Sequence, residues 1–129
     1  MQTETQILSA VLEYIYEKCR PFSRITTGGL SQNGGINAEI APGFSKSDYL
    51  GGGALLRLPL LITIRHKSHK TAMETAFSLA EIVRKTTRCA NEIHEAVANV
   101  NVGTAPEFVQ RAGADYIYSL IINIDYLQK

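Results

Sequence analysis

No segment of the chain approaches the ~20 consecutive apolar residues that a membrane span requires. The N-terminal "MQTETQILSAVLEYIY" has no basic stretch leading into an unbroken apolar run. The expectation is therefore no secretory signal and no membrane partner, in a chain made and used in a cytoplasm. Charge of one sign is scarce too, since 13 Lys and Arg against 12 Asp and Glu give a formal net charge of +1. So small an excess argues against strong overall attraction to nucleic acid or an anionic membrane, and leaves that role to local patches. Cysteine is nearly absent. Cys19 and Cys89 stand seventy residues apart with no CxxC pattern, which reads as two ordinary thiols rather than a disulfide or a metal site.

Signatures of catalysis are missing as well. There is no GxSxG, and Gly51–Gly53 is followed by Ala54-Leu55-Leu56-Arg57 rather than by the Lys-Ser/Thr pair of a phosphate-binding loop. His66 and His69 straddle a strand-to-helix turn with no nearby Cys, Asp or Glu to complete a ligand set, and His94 with Glu92 and Glu95 reads as a polar helix face. Ser23, Ser31, Ser45 and Ser47 lie in polar, glycine-rich surroundings typical of loops, with no base signature beside them. The expectation is a protein that is not an enzyme and takes no cofactor.

What the chain does contain is periodic. With 129 residues, 45% hydrophobic and 19% charged, it fits one globular domain, 1–129, able to bury a core without staples. Ile7, Leu8, Val11, Leu12 and Ile15 recur at helical spacing, predicting a helix from about Thr5 to Lys18 that stops before Pro21, with Thr3 and Gln6 as a capping box. Ile36, Ala38 and Ile40 alternate with Asn37, Glu39 and Ala41, a short strand ended by Pro42 and Gly43. Leu58, Leu60, Ile62 and Ile64 mark a second strand, which Pro59 places at a strand start or on an edge.

Ser68 reads as the N-cap of a second helix whose apolar stripe is Ala72, Met73, Ala76, Phe77, Ala80 and Val83, with Arg84, Lys85 and Arg88 at its C-terminal end. "CANEIHEAV" reads as an extra helical turn. A third strand puts Ala98, Val100 and Val102 on its apolar face, opposite Val97, Asn99 and Asn101. The last strand puts Tyr116, Tyr118, Leu120, Ile122, Ile124 and Tyr126 on one side, with Ser119, Asn123 and Asp125 on the other. The order α-β-β-α-β-β predicts an α+β two-layer sandwich, an antiparallel four-stranded sheet with both helices on one face. In the core, Ile62, Ile64, Leu120, Ile122 and Ile124 should meet Val11, Leu12, Ile15, Met73, Ala76 and Ala80.

Two stretches stand outside this pattern. Eight of the ten glycines fall between Gly28 and Gly53, and "PGFSKSDYLGGGALLR" is too long for a tight hairpin turn. Residues 42–56 are expected to form an arm. Its apolar groups Phe44, Tyr49, Leu50, Leu55 and Leu56 would be left in water by a mobile loop, which makes them candidates for a partner interface. In "IRHKSHK", Arg65, His66, Lys67, His69 and Lys70 concentrate cationic side chains at a helix start, where the dipole favours anions. That patch suits a solvated face first, then an acidic partner or nucleic acid. No aromatic residue is interleaved in it, which argues against a single-strand binder.

The C-terminal "VGTAPEFVQRAGADYIYSLIINIDYLQK" resembles the end of the small minor capsid or tail-completion proteins of long-tailed bacteriophages and prophages, in which a Pro-containing turn leads into a "YIYS" strand and an aromatic near the terminus. "LPLLITIRHKSHKTAMETAFSLAEIVRKT" is similar to their strand followed at once by an amphipathic helix. The resemblance is carried by motifs between Leu58 and Leu127. It implies a tail terminator, a virion protein of the head–tail interface, assembled in the bacterial host cytoplasm. Such a protein caps the tail tube as a homo-oligomeric ring, commonly a hexamer. Its partners would be the tail tube protein, the head–tail connector protein and genomic DNA passing through the ring. Residues 42–56 would then order against a neighbouring subunit or the tube. A small-molecule-binding or regulatory module is the alternative that an α+β domain of this size leaves open.

Overall fold

A computed structural model describes residues 3–27, 34–41, 45–48, 54–86 and 97–128 of the chain. Helix α1 (Thr3–Cys19) forms where the 3.6-residue period predicts it. It buries Ile7, Val11 and Ile15 completely and Leu12 nearly so, with Leu8 packed at the flank. The helix ends where Arg20 takes a φ of 49° while its N–H donates to the Tyr16 carbonyl at 2.8 Å. Pro21 then cannot extend the helix. The expected capping box involves Thr3, whose side chain lies outside the described residues.

The described residues include six strands: β1 (Ile25–Thr26), β2 (Gly35–Ile40), β3 (Ser45–Asp48), β4 (Ala54–His66), β5 (Val97–Ala112) and β6 (Asp115–Gln128). They form one sheet in the order β1-β2-β4-β6-β5, with β3 paired to β4 as well. The α+β class holds, but the sheet is not a four-stranded antiparallel one. The two-residue β1 lies parallel to β2, and every other pairing is antiparallel. Thr26 reinforces that margin by donating its hydroxyl to the Ile36 carbonyl at 3.2 Å.

Strand β4 is the axis of the sheet. One side pairs with β6 along its whole length, from Ala54↔Gln128 to His66↔Tyr116. The other side is shared: β3 takes residues 54–57 and β2 takes residues 60–65. Pro59 falls in the gap between those two partners, so it is neither a strand start nor on an edge. Its carbonyl accepts from the Ala41 N–H at 2.9 Å. Nitrogen and carbonyl of one strand residue face the same neighbour, so the nitrogen without a hydrogen is turned toward Ala41, just past the last residue of β2, and the β4–β6 ladder loses no donor. Just before β2, Gly34 has a φ of +97°, and a Cβ there would stand 2.8 Å from the Arg65 carbonyl oxygen. Only glycine fits that approach.

Helix α2 (His69–Thr86) begins as expected at Ser68, whose Oγ accepts from the Thr71 N–H at 3.2 Å and whose carbonyl accepts from the Ala72 N–H at 3.0 Å. Arg84 and Lys85 sit in its last turn. Its buried face is Ala72, Thr75, Ala76, Leu79, Ala80 and Val83. Met73 and Phe77 are 39% and 49% exposed, contrary to expectation. The three alanines let the helix lie close to the sheet, and the contact centres on their row and on Leu79, which leaves the neighbouring 73–77 row at the side.

Both helices cover one face of the sheet, and a single cluster joins them to Leu58, Leu60, Ile62 and Ile64 of β4 and Leu120, Ile122 and Ile124 of β6. Ile36 and Ala38 of β2 join it as expected, while Ile40 at the strand end is 56% exposed. Strand β5 departs from the expected alternation. Val97 and Val100 are both buried and Ala98 is exposed, because a register shift between Val97 and Asn99 inserts an extra residue there. Strands β5 and β6 are joined through Gly113, which takes a φ of 61°. The expected helical turn at 89–97 falls, but for Val97, outside the described residues.

Candidate functional site

Within the glycine-rich span 42–56, the described residues 45–48 and 54–56 are paired rather than free. Strand β3 pairs with the first residues of β4, from Ser45↔Arg57 to Asp48↔Ala54, so the chain itself supplies partners for backbone groups that β2 does not reach. Of the expected interface residues, Phe44, Tyr49 and Leu50 lie outside the described residues. Leu55 stands opposite Ser47 and Leu127 in the backbone register. Leu56 is 3% exposed and belongs to the core, because it continues the alternation of Leu58 and Leu60.

The turn from β4 into α2 disperses the expected basic patch. Arg65 points to the face of the sheet away from the helices, and its Nε donates to Asp115 Oδ2 at 2.7 Å. Its charge is paired there. His66 lies on the helix side, where its Nδ1 accepts from the Ser68 N–H at 2.9 Å and its ring meets Phe22 edge-on at 4.7 Å. His69 stacks on Tyr116 with centroids 4.6 Å apart, and its Nε2 shares a 2.6 Å hydrogen bond with the Tyr118 hydroxyl. Phe108 of β5 closes that cluster at 5.7 Å from His69. Lys67 and Lys70 stay exposed. Sequence spacing missed Phe22, Phe108 and Tyr116 because they arrive from other strands and loops. Register is the signal that could have found Tyr116, the cross-strand partner of His66, and Phe108, the partner of Tyr118.

The sheet's other face carries a second ion pair, Arg57 with Asp125, through a bidentate contact of 2.7 and 3.0 Å. Asp125 raises the pKa of Arg57 by that hydrogen bond first and by its charge second. Between the two pairs lie Leu61 opposite Ile121 and Thr63 opposite Ser119. This face carries an ion pair near each end and, between them, both apolar (Leu61, Ile121) and polar (Thr63, Ser119, Asn123) residues. Burial pushes the thiol of the half-buried Cys19 above its ordinary pKa, which favours the protonated form. Cys89 lies outside the described residues.

The large apolar side chains left exposed include Met73 and Phe77 on α2 and Phe108 and Val109 on β5. A groove of about 270 Å³ lies elsewhere, lined by Leu12, Glu13, Tyr16, Glu17, Arg24 and Ile25. It falls just below the ~300–1,000 Å³ usual for small-molecule sites. Among the described residues no three His, Cys, Asp or Glu side chains converge as a metal site, and no helix is long and apolar enough to cross a membrane. Compared with protein-family models and with curated proteins, the chain matches neither.

Proposed function

We propose that the chain is a structural subunit of a phage or prophage tail, a tail terminator that closes the tail tube as a homo-oligomeric ring and offers a surface to the head connector. Its role is assembly rather than turnover. The observation that carries this reading is apolar surface that a lone subunit leaves in water. Met73 and Phe77, one turn apart on α2, and Val109 on the outer strand β5 are all more than one-third exposed. The sheet also ends in two unlike margins, the long β5 on one side and β1 with β2 and β3 on the other. A ring requires a contact between two different patches, and unlike margins suit it. The hairpin of β3 and β4 is assigned to the neighbouring subunit or the tube, and the sequence nominates Phe44, Tyr49, Leu50 and Leu55 for that contact.

Light scattering on the protein alone and mixed with the cognate tail tube protein tests this. The expected result is a mass of several subunits in at least one of the two samples. Met73→Glu with Phe77→Glu should return a folded monomer, since both positions are exposed in the subunit. A wild-type monomer in both samples would overturn the proposal. A ligand-shifted melting temperature in that monomer would favour the binding-module alternative.

A further inference from the structure

One end of the sheet collects rings and cations from three separate parts of the chain. The α1–β1 connection supplies Phe22, flanked by Arg20 and Arg24; the β4–α2 turn supplies His66 and His69, flanked by Lys67 and Lys70; the β5–β6 hairpin supplies Phe108 and Tyr116 with Arg111. The rings form a row. Phe22 meets His66 at 4.7 Å, His66 is the register partner of Tyr116, Tyr116 stacks on His69 at 4.6 Å, and Phe108 lies 5.7 Å from His69. The two ends of the row, Phe22 and Phe108, are 41% and 48% exposed. The flanking cations are exposed as well, and the Arg111 guanidinium lies 5.3 Å from the centre of the Tyr116 ring. The nearest buried carboxylate, Asp115, is engaged by Arg65 on the opposite face.

From this arrangement we infer that the row is a binding surface for single-stranded nucleic acid. Cations that track a phosphate backbone, set beside ring faces on which bases stack, are the two components such a surface needs. An acidic protein surface would use the cations but has no need of exposed rings. A duplex would likewise keep its bases inside the stack and leave Phe22 and Phe108 unused. A net charge of only +1 for the chain does not oppose the inference, because the cations are local to one end. The surface lies within one subunit and does not depend on ring formation.

Fluorescence anisotropy of a labelled oligothymidylate, with a duplex of equal length as comparison, tests the inference on the full chain. Single-strand affinity should fall with salt at a slope of about −0.7 per neutralised phosphate. Lys67→Ala with Lys70→Ala and Arg111→Ala should flatten that slope, and the corresponding Lys→Arg changes should preserve it. Phe108→Leu should weaken oligothymidylate binding about tenfold and leave duplex binding unchanged, because leucine keeps the apolar contact and removes the stacking face. Equal affinity for the duplex, displacement of the oligonucleotide by polyglutamate of equal charge, no binding, or indifference to Phe108→Leu would each overturn the inference.

Discussion

Ile122 occupies the centre of the core, fully buried on β6 opposite Leu60 and Val102. Removing three of its carbons loses their transfer free energy and leaves a void that the close-packed neighbours fill only in part. Ile122→Ala should destabilise the fold by about 2–5 kcal/mol in a urea titration, and a loss within error would place this face outside the core. Gly34 and Arg20 show a different residue-scale constraint, set by backbone angle rather than burial. Both have positive φ. At Gly34 a side chain is also excluded by the Arg65 carbonyl, whereas Arg20 tolerates its angle at a helix end.

At the scale of elements, β5 is the informative strand. Reading alternate residues from the sequence places Ala98 inside and Val97 outside, yet the register shift after Val97 puts Val97 and Val100 in the core together. A pair of substitutions separates the two arrangements. Val97→Ala should cost about 2 kcal/mol for two buried carbons and their void, and Ala98→Ser should change stability by less than about 0.5 kcal/mol. The reverse order in thermal melts would show the strand unbulged. Helix α2 carries the complementary lesson. Its stripe was legible in the sequence, but which edge of the stripe meets the sheet was not, because that depends on how near the small Ala72, Ala76 and Ala80 let the helix come.

At the scale of the whole molecule, the hairpin of β3 and β4 connects fold to proposed assembly. Among the described residues, strand β3 pairs only with residues 54–57 of β4, at the margin of the sheet. Deleting Ser45–Gly53 should therefore leave a folded subunit and weaken ring formation or tail-tube binding, as read by melting temperature and light scattering together. Amide exchange gives a second readout. Residues 45–48 should open locally and exchange faster than β6 in the dilute subunit, and slow on assembly. Protection of β3 equal to that of β6 in the free subunit would assign the hairpin to the core and remove it from the interface.

The sequence by itself determined the two helices, the core faces of β4 and β6, the Ser68 cap and the α+β class. Each depends on a period or a cap that acts within a few residues. Only the tertiary structure decided the rest. The parallel β1 is too short to leave a pattern, and β3 is hidden in polar, glycine-rich sequence that pairs because β4 outruns β2. Pro59 sits mid-sheet because two partners change places beside it. The candidate site divides in the same way. The cations of "IRHKSHK" stand together in the chain, but pairing turns Arg65 away to Asp115, while Tyr116 and Phe108 reach the turn through strand register and Phe22 through the α1–β1 connection, across long sequence separations. Contacts of that kind are set by which strands pair and how far each is shifted, and no local period encodes either.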